Sequence, residues 1–149
     1  MDQPDTPAEL KARALRHLVR REHSRAELAR KLAPHAESPE AVEALLDQLL
    51  SKKHLCDERY AEERARALSR KYGAVRIRHD LKAKGVAQEV IDRISPADEF
   101  ERAKAILTRK YREPASSREE RARRARFLQS RGFSMDVITR LIRGSEEIA

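Results

Sequence analysis

Apolar residues in this chain recur at the spacing of a helical face. Val42, Leu45, Leu46, Leu49 and Leu50 show it most plainly, along i, i+3, i+4, i+7 and i+8. Polar punctuation marks where such faces begin. Thr6-Pro7-Ala8-Glu9 reads as a cap, a proline at the first helical position and a capping-box Glu. Ser24-x-x-Glu27 and Ser117-x-x-Glu120 repeat the box; Ser38-Pro39 and Ser95-Pro96 repeat the cap-then-proline start, and Ser134 caps another helix. Gly73, Gly85, Gly132 and Gly144 stand where periodicity ends, as left-handed C-terminal caps do. These signals predict about nine helices.

The chain also resembles itself. Gly85-Val86-x-x-Glu89-Val90-Ile91-x-Arg93-Ile94 matches Gly132-Phe133-x-x-Asp136-Val137-Ile138-x-Arg140-Leu141, and Leu81 and Lys84 find Leu128 and Arg131 at the same offset. Leu18-x-Arg20-Arg21, Leu68-x-Arg70-Lys71 and Leu107-x-Arg109-Lys110 give three first helices one ending. Ser38-x-Glu40-x-Val42-x-x-Leu45-Leu46 matches Ser134-x-Asp136-x-Ile138-x-x-Leu141-Ile142. Each unit reads as a long helix, a short basic helix and a short apolar helix.

The predicted organisation is a flexible tail over 1–6, three-helix repeats over 7–55, 57–95 and 96–144, and a C-terminal tail over 145–149. Ala33 to Glu37 lengthen the first unit, and Arg112 to Ser116 the third. Units this small have little core of their own, so an elongated row is expected. The predicted fold is all-α, a tandem array of three helix-turn-helix-like repeats. Such a row suits lying along a partner better than enclosing a small substrate.

Composition adds to the picture. Charged residues make up 39% and aromatics 4%, with no Trp, which leaves little material for a β-sandwich or barrel. The 40% hydrophobic content is too high for a disordered chain. Lys and Arg number 33 against 25 Asp and Glu, a formal charge of +8. That excess favours anionic partners, above all nucleic acid or an assembly containing it. No apolar run approaches the roughly 18 residues of a membrane span, and the acidic start from Met1 to Glu9 does not read as a secretory signal. Cys56 is the single cysteine; a reducing cytoplasm and a monomer are expected.

Catalytic chemistry is not legible. His17, His23, His35, His54 and His79 never fall at metal-ligand spacing with a carboxylate or second thiol, and read as surface or boundary residues. No glycine-rich phosphate loop is present, so neither cofactor nor enzyme activity is expected. Leu81 and Leu128 precede their glycines by four, and Ile91 and Ile138 follow by six, the spacing of a helix-turn-helix. Sequence-specific reading of DNA is nonetheless disfavoured. The third helices begin Gln88-Glu89 and Met135-Asp136, and an acid there repels phosphate.

Basic residues gather on second helices instead. Arg25 and Lys31 lie on the first repeat's, Arg76, Arg78, Lys82 and Lys84 on the second's, and Arg118, Arg121, Arg123, Arg124, Arg126 and Arg131 on the third's. As a group they read as an electrostatic docking surface for protein, phosphate or both.

In this order the motifs resemble a known family. Leu18-x-Arg20-Arg21-Glu22-His23-Ser24-Arg25-x-Glu27-Leu28-x-x-Lys31-Leu32 is similar to the first signature of the bacterial RecX recombination regulators. Asp57-x-Arg59-Tyr60-Ala61, then Gly73-x-x-Arg76-Ile77-x-x-Asp80-Leu81-x-x-Lys84-Gly85-Val86, resembles the second, and Arg126-Phe127-Leu128-x-x-Arg131-Gly132-Phe133-Ser134 the third. The departure is Ala87, where Ser134 caps the third repeat. The resemblance implies binding to the RecA filament on DNA, and inhibition of its recombinase, ATPase and co-protease activities. A free-standing, nonspecific DNA-binding protein is the alternative expectation.

Overall fold

The computed structural model describes residues 3–94 and 98–148. Nine α-helices account for most of them: α1 (Pro7–Arg20), α2 (Arg25–Leu32), α3 (Pro39–Ser51), α4 (Asp57–Leu68), α5 (Ala74–Ala83), α6 (Gln88–Arg93), α7 (Glu99–Lys110), α8 (Arg118–Ser130) and α9 (Met135–Ile148). A 3₁₀ turn over Ala33–His35 follows α2, and no strand occurs among the described residues. Only α6 is a short third helix; α3 and α9 are as long as the first helices.

Helix starts follow the capping chemistry. Thr6 completes its box with Glu9. Ser24, Ser38, Ser117 and Ser134 each accept a backbone N–H from three residues ahead. The boxes at Ser24 and Ser117 are only half made, because Glu27 turns to Arg21 and Glu120 accepts from the Ser116 N–H. The expected Ser95-Pro96 start lies outside the described residues.

Several helix ends differ from expectation. Gly85 and Gly132 have φ of 84° and 87°, the left-handed turn that glycine adopts at no steric cost. Gly73 and Gly144 do not. Gly73 instead precedes α5, its carbonyl accepting the Ile77 N–H. α9 continues past Gly144 to Ile148, so the expected C-terminal tail is largely helical. The N-terminal segment is also anchored: the Asp5 N–H donates to the His35 carbonyl, and its carboxylate pairs with Arg13 at 2.8 Å.

The chain forms two compact units, Met1–Arg64 with Leu81–Arg93, and Ala65–Asp80 with Ile94–Ala149. The first is built on Leu10, Ala14, Leu28, Leu32, Leu46 and Leu49 from α1 to α3, closed by Leu55. Leu50, expected on that face, is 37% exposed. The second is built on Ala103, Leu107, Leu128, Phe133, Ile138 and Leu141. The repeat equivalence holds in burial: Leu81 and Leu128 are both 0% exposed, Ile91 and Ile138 are 1% and 2%. Each such side chain contributes roughly 1.5–3 kcal/mol.

One joint occurs twice. In the first unit, the Lys84-Gly85 turn seats on the start of α2. Ser24 Oγ donates to the Lys84 carbonyl at 2.9 Å, and Gly85 leaves no room for a Cβ against Ala26. Asp57, at the start of α4, accepts the Arg25 N–H at 2.8 Å. In the second unit, the Arg131-Gly132 turn seats on the start of α5. The Gly73 and Val75 N–H groups donate to the Arg131 and Gly132 carbonyls at 2.8 and 3.0 Å. A Cβ on Gly73 would lie 2.5 Å from the Gly132 oxygen. Glu99, at the start of α7, accepts the N–H groups of both Ala74 and Ser134. Turn, helix start and capping carboxylate recur in the same roles.

Candidate polyanion-binding surface

α8 is the most basic element, and its ends explain its stability. Ser117 caps it, and Glu119 and Glu120 occupy the first turn, where the helix macrodipole favours acids. The Ser116 N–H bond at 2.9 Å holds the Glu120 carboxyl below the ordinary range. Only Leu128 is fully buried, and Arg118, Arg123 and Arg126 are exposed.

The twelve cations singled out from sequence divide into groups. Arg25, Lys31 and Arg124 hold the fold. Arg25 bridges Glu43 and Asp47 at 2.6 and 2.8 Å. Lys31 Nζ lies 2.9 Å from His23 Nε2, and His23 Nδ1 lies 3.0 Å from the Arg21 carbonyl. His23 is 1% exposed, which corrects its reading as a surface or boundary residue. Burial keeps the imidazole below its ordinary pKa; in its neutral form Nδ1–H donates to the carbonyl and Nε2 accepts from Lys31. Arg124 lies over Tyr111 at 4.5 Å and donates to the Glu113 carbonyl.

The remaining residues face outward to different degrees. Arg76 lies over Tyr72 at 4.1 Å and donates to the Ser130 carbonyl. Arg121 and Lys84 are half-buried. Arg78, Lys82, Arg118, Arg123 and Arg126 are exposed, and no carboxylate among the described residues pairs with them. Lys82 and Lys84 belong to the first unit, while Arg76, Arg78 and the α8 cations belong to the second.

Arg131 leads to a feature the sequence reading missed. It reaches the rings of both Tyr72 and Phe127, at 5.8 and 5.2 Å. Both rings line a cleft in the second unit together with Arg70, Lys71, Arg109 and Lys110. Lys110 Nζ sits over Phe127 at 4.2 Å. Cations held over ring faces keep their charge in place without a carboxylate to neutralise it. The available signal was the shared ending of the first helices, whose Arg70-Lys71 and Arg109-Lys110 copies in the second unit also line this cleft.

Among the described residues no group of three or more His, Cys, Asp or Glu could hold a metal, and no helix is long and apolar enough to cross a membrane. The sequence descriptions of the first, second and third RecX three-helix domains match residues 11–49, 57–93 and 97–142, in that order. The chain belongs to the RecX family. Relatives named regulatory protein RecX include that of Ralstonia nicotianae, 43% identical over 148 residues, or 97% of this chain and 93% of that one. Another, from Herbaspirillum seropedicae, is 45% identical over 88% of this chain and 87% of its own. The crystal structure of RecX from Lactobacillus salivarius shares the fold with a TM-score of 0.82, covering 94% of this chain and 96% of that chain at 20% identity. RecX relatives are thus named as regulators, and this chain has their three three-helix domains in tandem.

Proposed function

We propose that this RecX-family chain is a non-catalytic, cytoplasmic regulator that binds the RecA–DNA filament and inhibits its recombinase, ATPase and co-protease activities. The observation that carries the proposal beyond family membership is the set of exposed cations on α5 and α8 with no paired carboxylate. A nucleoprotein filament offers such cations both phosphate and acidic protein surface. The chain bridges neighbouring recombinase subunits and blocks the groove that duplex DNA or a cleavable repressor must enter.

The test reverses Arg78, Arg123 and Arg126 to Glu. Exposed substitutions of this kind usually change stability by within about 0.5 kcal/mol, so the helical spectrum should persist. Inhibition of strand exchange and filament ATPase should weaken sharply, most at low salt. Inhibition equal to the parent's at every salt concentration would overturn the assignment of this surface. Equal affinity for bare and RecA-coated single-stranded DNA would favour a free-standing DNA-binding protein instead.

A further inference from the structure

The cleft in the second unit brings cations and aromatic rings together in one concave site. Its volume is about 380 Å³, and no carboxylate is among its lining residues. Its cations come from three segments: Arg70 and Lys71 after α4, Arg109 and Lys110 at the end of α7, and Arg131 after α8. Its apolar lining is Tyr72, Phe127 and Ile106. Tyr72 and Phe127 are half-buried and line the cleft.

We propose that this cleft binds one nucleotide unit, with the base against Tyr72 and Phe127 and the phosphates on the surrounding cations. The proposal rests on the reading of the chain as a partner of a DNA-containing filament, and specifies how it touches the nucleic acid. An acidic peptide would engage the cations and leave the rings unused. A nucleobase uses both, because a flat π-system stacks on aromatic rings and on guanidinium planes alike. A duplex presents phosphates but keeps its bases stacked inside, so the cleft favours a single strand. The same chemistry is carried by a free nucleotide.

The full chain is titrated with fluorescent oligo-dT, a hairpin duplex of the same length, ATP and an oligoglutamate peptide. Tyr72→Leu and Phe127→Leu retain apolar bulk while removing a ring. Each should weaken oligo-dT binding about tenfold, the scale of one lost stacking contact, and leave duplex binding nearly unchanged. Neutralising Arg70, Lys71 and Arg109 to Gln should lower the slope of log affinity against log salt by about 2, at roughly 0.7 per single-strand phosphate contact. Neutralising exposed Arg30, Lys52 and Lys104, which lie outside the cleft, should change it far less. Displacement of oligo-dT by ATP would assign the cleft to a free nucleotide, and no displacement to a nucleotide within a strand; ring dependence supports the proposal in both cases. Unchanged oligo-dT affinity in both ring variants, with helical spectra and melting like the parent's, would overturn it. So would oligoglutamate binding as tightly as oligo-dT. Retained inhibition of RecA in chains that fail these tests would leave the regulatory reading standing without this site.

Discussion

The two joints perform one task with different chemistry. In the first, a side chain makes the connection: buried Ser24 accepts the Glu27 N–H and donates to the Lys84 carbonyl. In the second, the backbone makes it, through the Gly73 and Val75 N–H groups. The contrast explains why position 73 has no capping side chain. A Cβ there would collide with the Gly132 backbone, so Glu99 supplies the cap from α7, accepting the Ala74 N–H at 3.3 Å. A cap lost locally is restored by a carboxylate from elsewhere in the unit. What the two repeats share is therefore the set of satisfied backbone groups, more than the residues that satisfy them.

The largest effect should come from the turn glycines. Alanine at a left-handed position costs roughly 1–2 kcal/mol before any clash. At Gly132 the new methyl also meets the Arg76 backbone, with its nitrogen at 2.7 Å, whereas at Gly85 it meets the Ala26 side chain. Gly132→Ala should destabilise by about 3 kcal/mol or more, and Gly85→Ala by less. Ala26→Gly should then recover part of the Gly85→Ala loss in a double-mutant cycle. Equal losses without rescue, measured by urea unfolding, would show that φ alone sets the cost and that the neighbouring contacts do not matter.

The capping groups should give intermediate effects. Ser24→Ala removes a cap and the bond to Lys84, a loss of about 1–2 kcal/mol. Glu99→Gln and Asp57→Asn keep an acceptor oxygen but remove the charge at a helix start, so each should cost about 0.3–1 kcal/mol. Glu99→Gln should lie at the upper end, since Glu99 serves two helix starts and Asp57 serves one. Salt titration of the melting temperature would check this, because a charge–dipole contribution fades with screening.

Titration should produce the smallest changes near neutral pH. Burial lowers the His23 pKa below its ordinary 6.5, so the unfolded chain takes up the proton first. Stability is therefore complete above that value and declines as pH falls through the folded pKa. Glu27 behaves alike further into acid. Its hydrogen-bonded pairing with Arg21 holds its pKa to about 2 against 4.5, so its contribution is present above 4.5 and lost as pH approaches 2. His23→Gln should flatten the first window and Glu27→Gln the second, in thermal melts taken across pH.

Local chemistry was legible, and contacts between distant segments were not. Thr6, Ser24, Ser38 and Ser117 announce their helices because a cap is settled within three residues, and Leu81 and Leu128 announce their burial through periodicity. Nothing near Glu99 in sequence indicates that it caps α5 and α9. Nor does anything mark Arg102 as the donor to the Ser69 and Tyr72 carbonyls. The clustering of basic residues was legible as a tendency of second helices. Which cations hold the fold, as Arg25 and Lys31 do, depends on Glu43, Asp47 and His23, and periodicity does not report those pairings.

The recurring joint also bears on how many repeats can be strung together. It is head-to-tail: a glycine turn from one repeat enters the helix start of the repeat before it. Such a connection has no intrinsic stopping point. The first repeat lacks the matching projection, because the place of the glycine turn is taken by the 3₁₀ segment Ala33–His35, whose His35 carbonyl is already engaged by the Asp5 N–H. Among the described residues, each joint therefore ties a repeat to the one before it in the chain.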